Sequence, residues 1–123
     1  MPSILVVDDE YGVGEVIEAI LEDEGYVVEI AINGRQGLER MAEAKPDLVL
    51  LDVMMPIMDG PAMLAAMRAE PKLVDVPVVM MSSLDEKTVR ERAIGHTLFL
   101  RKPFRSTHIV EAVVKTLPNE TPD

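Results

Sequence analysis

The chain has 123 residues, a length typical of one domain, and 48% of them are hydrophobic, enough to form a buried core. It contains no cysteine, which excludes disulfides, thiolate metal sites and cysteine nucleophiles. The formal net charge of −10, from 22 acidic and 12 basic residues, argues against a nucleic-acid-binding surface, because phosphate backbones repel acidic proteins. The sequence lacks a signal-peptide pattern, and its apolar runs are far shorter than the roughly 20 residues that cross a membrane. We therefore expect a cytoplasmic domain with no nucleic-acid or membrane partner.

Apolar runs and amphipathic stretches alternate five times along the chain. The predicted strands are residues 3–8, 26–31, 47–52, 76–81 and 97–101. Each is followed by a stretch with hydrophobic residues at helical spacing, which predicts helices at residues 13–25, 35–44, 58–70, 85–93 and 106–117. Strands that alternate with helices in this way predict an α/β fold, a doubly wound, five-stranded parallel sheet with helices on both faces.

Several residues mark the expected ends of the helices. Gly25 is expected to end the first helix, and Asn33 with the glycine after it to form the turn before the second. Asp59 is a predicted N-cap of the third helix, and Ser83 a predicted cap of the fourth.

Polar residues follow the predicted strands where each one ends. Asp8 and Asp9 follow the first strand, Asp52 ends the third, and Ser82 and Lys102 follow the fourth and fifth. In open parallel sheets, ligands bind at the carboxyl ends of the strands, so these side chains are expected to face one crevice. Three carboxylates repel one another and need a cation, and oxygen ligands of this kind suit Mg²⁺. A carboxylate can also attack a phosphoryl group, so the pattern predicts phosphoryl chemistry at a magnesium site.

The acidic triplet that begins at Asp8 has a simpler interpretation when it is read alone. Acids are favoured near helix N-termini, so Asp8, Asp9 and Glu10 fit a polar turn that starts a helix. The acid, hydroxyl and ammonium groups at the ends of neighbouring strands favour a ligand-binding site instead. Glu10 itself is still interpreted as a residue of the first helical turn.

Four motifs in order, "VVDDE", "LVLLDVMMPIMDG", "VVMMSS" and "FLRKPF", cover essentially all of the chain. Together they resemble the response-regulator receiver domain of two-component signalling, which has a flavodoxin-like sheet of strand order 2-1-3-4-5. The resemblance implies that Asp52 is the phosphoacceptor. It also implies that Asp8, Asp9, Asp52 and the backbone carbonyl of Met54 hold Mg²⁺, with Mn²⁺ as a substitute.

The same resemblance assigns roles to residues of the last two strands. Lys102 is expected to pair with the phosphoryl oxygens, and the Ser82 hydroxyl to reach toward the phosphate. Phe99 corresponds to the switch aromatic, which changes rotamer when Ser82 moves. The peptide bond between Lys102 and Pro103 is expected to be cis.

The implied function is that of a signalling domain rather than an enzyme, with only self-phosphorylation and slow self-dephosphorylation. It takes a phosphoryl group from a sensor histidine kinase or a histidine phosphotransfer protein and then changes its binding to a downstream protein target. It is expected to be a monomer or a weak, phosphorylation-dependent dimer. Residues 1–118 form the expected receiver domain and 119–123 a tail or the start of a linker.

Three other functions compete with that of a stand-alone receiver. The chain is alternatively the receiver half of a longer regulator with an output domain. An aspartyl-phosphate phosphatase is disfavoured, because such enzymes need an acid/base aspartate two residues after the nucleophile, where Met54 stands. A degenerate receiver that works without phosphate is disfavoured because all five expected site residues are present.

The sequence departs from the family pattern at three places. Ser83 stands where a small alanine is usual. Met54 and Leu84 are apolar at positions that flank the path of the hydrolytic water, which predicts slow self-dephosphorylation. The segment 82–95 is shorter than usual, which predicts a shortened fourth helix and puts the family's usual mode of dimerisation in doubt.

Overall fold

The computed structural model describes residues 2–117, so the expected tail at 119–123 lies outside the described residues. Strands and helices alternate throughout. The strands are β1 (Ser3–Val7), β2 (Val27–Ala31), β3 (Leu48–Asp52), β4 (Val78–Ser82) and β5 (Leu98–Arg101). The helices are α1 (Tyr11–Asp23), α2 (Gly34–Glu43), α3 (Gly60–Ala69), α4 (Glu86–Arg92) and α5 (Ser106–Thr116).

The five strands form one parallel sheet in the order β2-β1-β3-β4-β5, as predicted. Successive side chains of each strand point to opposite faces, so two separate cores form. One core packs α2, α3 and α4 against alternate strand residues such as Val7, Leu51 and Met80. The other packs α1 and α5 against residues such as Val6 and Leu50. The predicted doubly wound α/β architecture is confirmed.

Local sequence signals mark several of the helix ends. Gly25 has a φ of 97°, a left-handed conformation that favours glycine, and it follows the end of α1. Asn33, Asp59 and Asp85 cap α2, α3 and α4, each accepting a hydrogen bond from the backbone N–H three residues later. The prediction that Ser83 caps α4 was wrong, because Asp85 lies one residue before the helix and its carboxylate reaches that N–H.

Several predicted boundaries shift by one or two residues, among them those of the fourth strand and the fourth helix. The fourth strand begins at Val78 rather than residue 76, because Pro77 has no N–H to donate to the sheet. Helix α4 has only seven residues, and the connection after it contains Gly95 at a φ of 104°. The carbonyl of Gly95 accepts a 2.9 Å hydrogen bond from Nε of Arg68, which ties this connection to α3.

Within residues 2–117, every helix is too short or too polar to cross a lipid bilayer.

Candidate functional site

Three charged residues at the carboxyl edge of the sheet share one side of it. Asp8 follows β1, Asp52 ends β3 and Lys102 follows β5. Because strand side chains alternate between the two faces, all three lie on the face of the sheet that α1 and α5 cover. The Lys102 ammonium Nζ lies 3.0 Å from Oδ2 of Asp8 and 3.2 Å from Oδ1 of Asp52. The convergence that the strand ends predicted is therefore confirmed for these residues.

Asp9 completes a cluster of acids. Asp8, Asp9 and Asp52 each offer a carboxylate oxygen, and these oxygens lie within 4.8 Å of one another. Asp8 is 0% exposed and Asp52 6%, whereas Asp9 is exposed to solvent. The backbone N–H of Glu10 donates a 2.9 Å hydrogen bond to Oδ1 of Asp8 and so orients that carboxylate. Clustered carboxylate oxygens, partly buried and open on one side, fit a hard divalent cation.

Burial makes the charge on Asp52 costly. Desolvation, together with the neighbouring charge of Asp8, raises the pKa of Asp52 from 3.8 to about 6, although Lys102 opposes the rise. Burial also tends to lower the pKa of Lys102, but its hydrogen bond to Asp8 and the charges of both carboxylates outweigh that effect and raise the pKa. Lys102 thus remains an ammonium at neutral pH, beside a carboxylate whose negative charge it only partly offsets.

A close backbone approach shapes the loop after Asp52, and sequence analysis missed it. A Cβ added to Gly60 would lie 2.3 Å from the carbonyl oxygen of Asp52, a distance that no side chain tolerates. The N–H of Gly60 also donates a 2.9 Å hydrogen bond to the carbonyl of Val53. In the sequence, Asp59 predicts only a helix N-cap, and nothing signals this contact of Gly60 with the backbone.

The loop between β3 and α3 exposes two apolar side chains. Met54 is 60% exposed and Ile57 77% exposed. Ile57 has a φ of 69°, a left-handed conformation that is strained for a β-branched residue. Metal binding by the Met54 carbonyl stays a prediction.

Ser82 and Phe99 belong to the other side of the sheet. Ser82 is 3% exposed, and its hydroxyl oxygen accepts a 3.0 Å hydrogen bond from the N–H of Leu84. Phe99 is half-buried and packs against the core beneath α2, α3 and α4. The carbonyl of Ser82 accepts a 2.8 Å hydrogen bond from the N–H of Lys102, which links the ends of β4 and β5. The contact of the Ser82 hydroxyl with a phosphate and the movement of Phe99 stay predictions, whereas the expected cis bond before Pro103 is present.

Comparisons with known proteins agree with this arrangement. The chain is 36% identical to sporulation initiation phosphotransferase F of Bacillus subtilis over 94% of each chain. It is 35% identical to the response regulator MprA of Mycolicibacterium vanbaalenii over 98% of its own length, but it spans only 52% of that protein. The chemotaxis response regulator CheY4 of Vibrio cholerae superposes with a TM-score of 0.89 at 29% identity, over 95% of this chain and 99% of that one.

The match to a family model extends over nearly all of the described structure. The model of the response regulator receiver domain matches residues 4–114, which include all five strands apart from the first residue of β1, and nearly all of α5. The chain belongs to the response regulator receiver domain family.

Proposed function

We propose that this domain accepts a phosphoryl group on Asp52 and thereby works as a phosphorylation-dependent signalling domain. The observation that carries the proposal is a buried carboxylate held between an ammonium and further acids at the carboxyl edge of the sheet. An oxygen of the Asp52 carboxylate attacks phosphorus of a phosphohistidine, the O–P bond forms, and the P–N bond breaks. The electron pair of that bond remains on the donor imidazole nitrogen.

Lys102, Asp8 and Asp9 prepare Asp52 for this reaction. The ammonium of Lys102 contacts Asp52 and neutralises charge that gathers on the phosphoryl oxygens. Asp8, Asp9 and Asp52 would hold Mg²⁺, since their clustered oxygens match its ligand preference. When bound, the ion supplies positive charge that offsets repulsion between the acids and the incoming phosphoryl group. Mn²⁺, another hard cation, substitutes in the same site.

Ser82 and Phe99 would carry the signal away from Asp52. A phosphoryl group on Asp52 offers new acceptors, and the Ser82 hydroxyl leaves its contact with the Leu84 N–H to donate to one of them. Phe99, half-buried in the core on the Ser82 side, then repacks. This repacking shifts the equilibrium between two conformations of the surface formed by α4 and β5.

The partners that fit this function are a sensor histidine kinase or a histidine phosphotransfer protein as donor, and a downstream protein that reads the phosphorylated surface. The domain acts in the cytoplasm, as a monomer or as a weak dimer formed on phosphorylation. The family resemblance and the acidic character of the chain support these assignments.

Slow loss of the phosphoryl group is part of the proposal. Leu84 is half-buried against the core, and Met54 lies in the loop just beyond Asp52 with an exposed side chain, so both of these positions carry apolar groups. Neither side chain orients a water for attack on the acyl phosphate. Leu84→Asn and Met54→Asn should therefore shorten the half-life of the purified phosphoprotein several-fold. A wild-type half-life of seconds would contradict this part of the proposal.

Acetyl phosphate with Mg²⁺, followed by intact-mass measurement, tests the function without any partner. The wild-type chain should gain the mass of one phosphoryl group, and Asp52→Asn should gain none. Loss of labelling on chelation tests the metal requirement. Multiple-turnover release of phosphate from a small ester such as p-nitrophenyl phosphate would instead identify a phosphatase and overturn the proposal.

A further inference from the structure

The loop between β3 and α3, residues 53–59, makes a strained turn. Ile57 has a φ of 69°, a left-handed conformation that costs free energy for a β-branched residue. The N–H of Met58 donates a 2.7 Å hydrogen bond to the carbonyl of Pro56, so the chain reverses tightly at Ile57. Strained backbone persists only where the surrounding structure fixes it. The contacts that other segments make with this loop therefore determine its shape.

Two backbone hydrogen bonds hold the loop. The N–H of Gly60, the first residue of α3, donates a 2.9 Å bond to the carbonyl of Val53. The N–H of Gly34, the first residue of α2, donates a 2.9 Å bond to the carbonyl of Met58. The first bond joins the loop to the helix that directly follows it. The second comes from a different part of the chain, so α2 supports the loop from outside.

Gly34 fits against Met58 so closely that a side chain at position 34 has no room. A Cβ added to Gly34 would lie 2.8 Å from both Cγ and the carbonyl oxygen of Met58, and 3.0 Å from Cβ of Met63. Gly34 is buried, and Met58 packs against the core beneath α2, α3 and α4. Because the carbonyl oxygen belongs to the backbone, a methyl group at position 34 would displace the loop itself. This contact is called the Gly34–Met58 anchor below.

The turn that leads into α2 is itself fixed and is joined to the acidic cluster. Oδ1 of Asn33 accepts a 2.8 Å hydrogen bond from the N–H of Gln36, and Oε1 of Gln36 accepts a 2.9 Å bond from the N–H of Ile32. The carbonyl of Ala31 accepts a 3.0 Å bond from the N–H of Asp8. Since β1 lies between β2 and β3, this turn contacts Asp8 on one side and the loop after β3 on the other.

We propose that Gly34 is a positioning residue for the magnesium site: through its contact with Met58 it holds the loop that carries Met54, whose backbone carbonyl would bind the ion. The inference rests on the proposed function, in particular on Mg²⁺ binding. The Met54 side chain is 60% exposed and gives the loop little anchorage of its own. Replacing residues that orient metal ligands from a second layer typically lowers metal affinity about ten- to a hundredfold.

Binding of Mn²⁺ tests the Gly34–Met58 anchor without any phosphorylation. Mn²⁺ is the probe because it is a hard cation that substitutes for Mg²⁺ at oxygen ligands, and the loss of its free-ion electron paramagnetic resonance signal measures binding. Gly34→Ala should raise the Kd for Mn²⁺ about tenfold, because the added methyl group displaces the backbone of the loop. Circular dichroism checks that the variant is folded.

Gly37→Ala is the matched control. Gly37 is also a buried residue of α2, so the same methyl group is added to the same helix. The atoms nearest to a Cβ at this position are Sδ and Cε of Met63, at 2.9 and 3.0 Å, which form the flexible end of a side chain and are not part of the loop. Gly37→Ala should therefore change the Kd for Mn²⁺ by less than about twofold.

A second pair of variants tests the anchor from the side of the loop, and it decides the question if Gly34→Ala does not fold. Met58→Ala removes the side chain that packs the loop against the core, and it should raise the Kd for Mn²⁺ at least about threefold. Its control, Leu38→Ala, removes another half-buried side chain that packs against the same core from α2. Leu38→Ala should change the Kd by less than about twofold.

Either of two results would overturn the inference: an unchanged Kd for Mn²⁺ in folded Gly34→Ala, or, in either pair, a control that loses as much affinity as its partner. Acetyl phosphate labelling of the wild-type chain reports separately on the proposed function. Labelling together with either of those results would leave the proposed function in place and reject only the anchor. Absence of labelling beside a tenfold loss of Mn²⁺ affinity in Gly34→Ala would reject phosphoryl transfer and still support the anchor.

Discussion

Replacing Asp52 with asparagine removes a buried negative charge at nearly constant shape, and we expect the change to stabilise the fold. The pKa of Asp52 is about 6 instead of 3.8 because burial and the charge of Asp8 disfavour the anion. At about 1.4 kcal/mol per tenfold change in proton affinity, this rise corresponds to about 3 kcal/mol of destabilisation at neutral pH. The residue is 6% exposed, so solvent screens little of that cost. Urea unfolding without divalent cations should give Asp52→Asn a free energy of unfolding larger by about 2 to 3 kcal/mol.

The stabilisation expected of Asp52→Asn depends on pH. Because the pKa of Asp52 is higher in the folded chain than in the unfolded one, ionisation destabilises the wild-type fold fully above about pH 6. The cost shrinks as the pH falls from about 6 toward 3.8 and disappears below that, where the carboxyl is protonated in both states. The advantage of Asp52→Asn should therefore be large at pH 8 and nearly absent at pH 4. The exposed control Asp23→Asn should change the free energy of unfolding by less than about 0.5 kcal/mol. An equal gain at both pH values, or a less stable variant at pH 8, would refute the reasoning.

Three further substitutions probe the same region by urea unfolding. Lys102→Met leaves two buried carboxylates without their cation and should lower the free energy of unfolding by about 2 to 4 kcal/mol. The control Lys45→Met removes an exposed ion pair and should lower it by less than about 1 kcal/mol. Equal losses of stability in the two variants would contradict the electrostatic account. Ile57→Asn should stabilise the fold by about 1 kcal/mol because asparagine tolerates a positive φ. If the gain does not exceed that of the control Ile94→Asn, at a residue that is 87% exposed, Ile57 is not strained. Gly60→Ala should lower stability by more than about 2 kcal/mol because of its contact with the backbone of β3; a neutral effect would show that the loop can move away.

The convergence of Asp8, Asp52 and Lys102 was predictable because two simple rules act together. Parallel strands place their carboxyl ends at one edge, and side chains alternate between the faces of the sheet. The lengths of the hydrophobic runs then bring these three residues to the same edge and the same side. The cap at Asp59 was predictable for a similar reason, since it depends on residues within a single turn of helix.

Other features depend on distances that a one-dimensional pattern does not contain. That Lys102 bridges two carboxylates follows from the spacing of β1, β3 and β5 across the sheet. The raised pKa of Asp52 requires knowledge of how deeply the loops bury it. Asp85 rather than Ser83 is the N-cap of α4. Which of these two neighbouring polar residues caps the helix depends on where the chain turns after β4.

Chemical trapping of the acyl phosphate tests the central claim most directly. The chain is incubated with acetyl phosphate and Mg²⁺, reduced with borohydride, which converts an aspartyl phosphate to homoserine, and digested for peptide mass analysis. We expect homoserine at position 52 and unmodified aspartate at positions 8, 9 and 59. Homoserine at any of those other positions, or none at 52 in a chain that gained a phosphoryl group, would contradict the assignment of Asp52 as the phosphoacceptor.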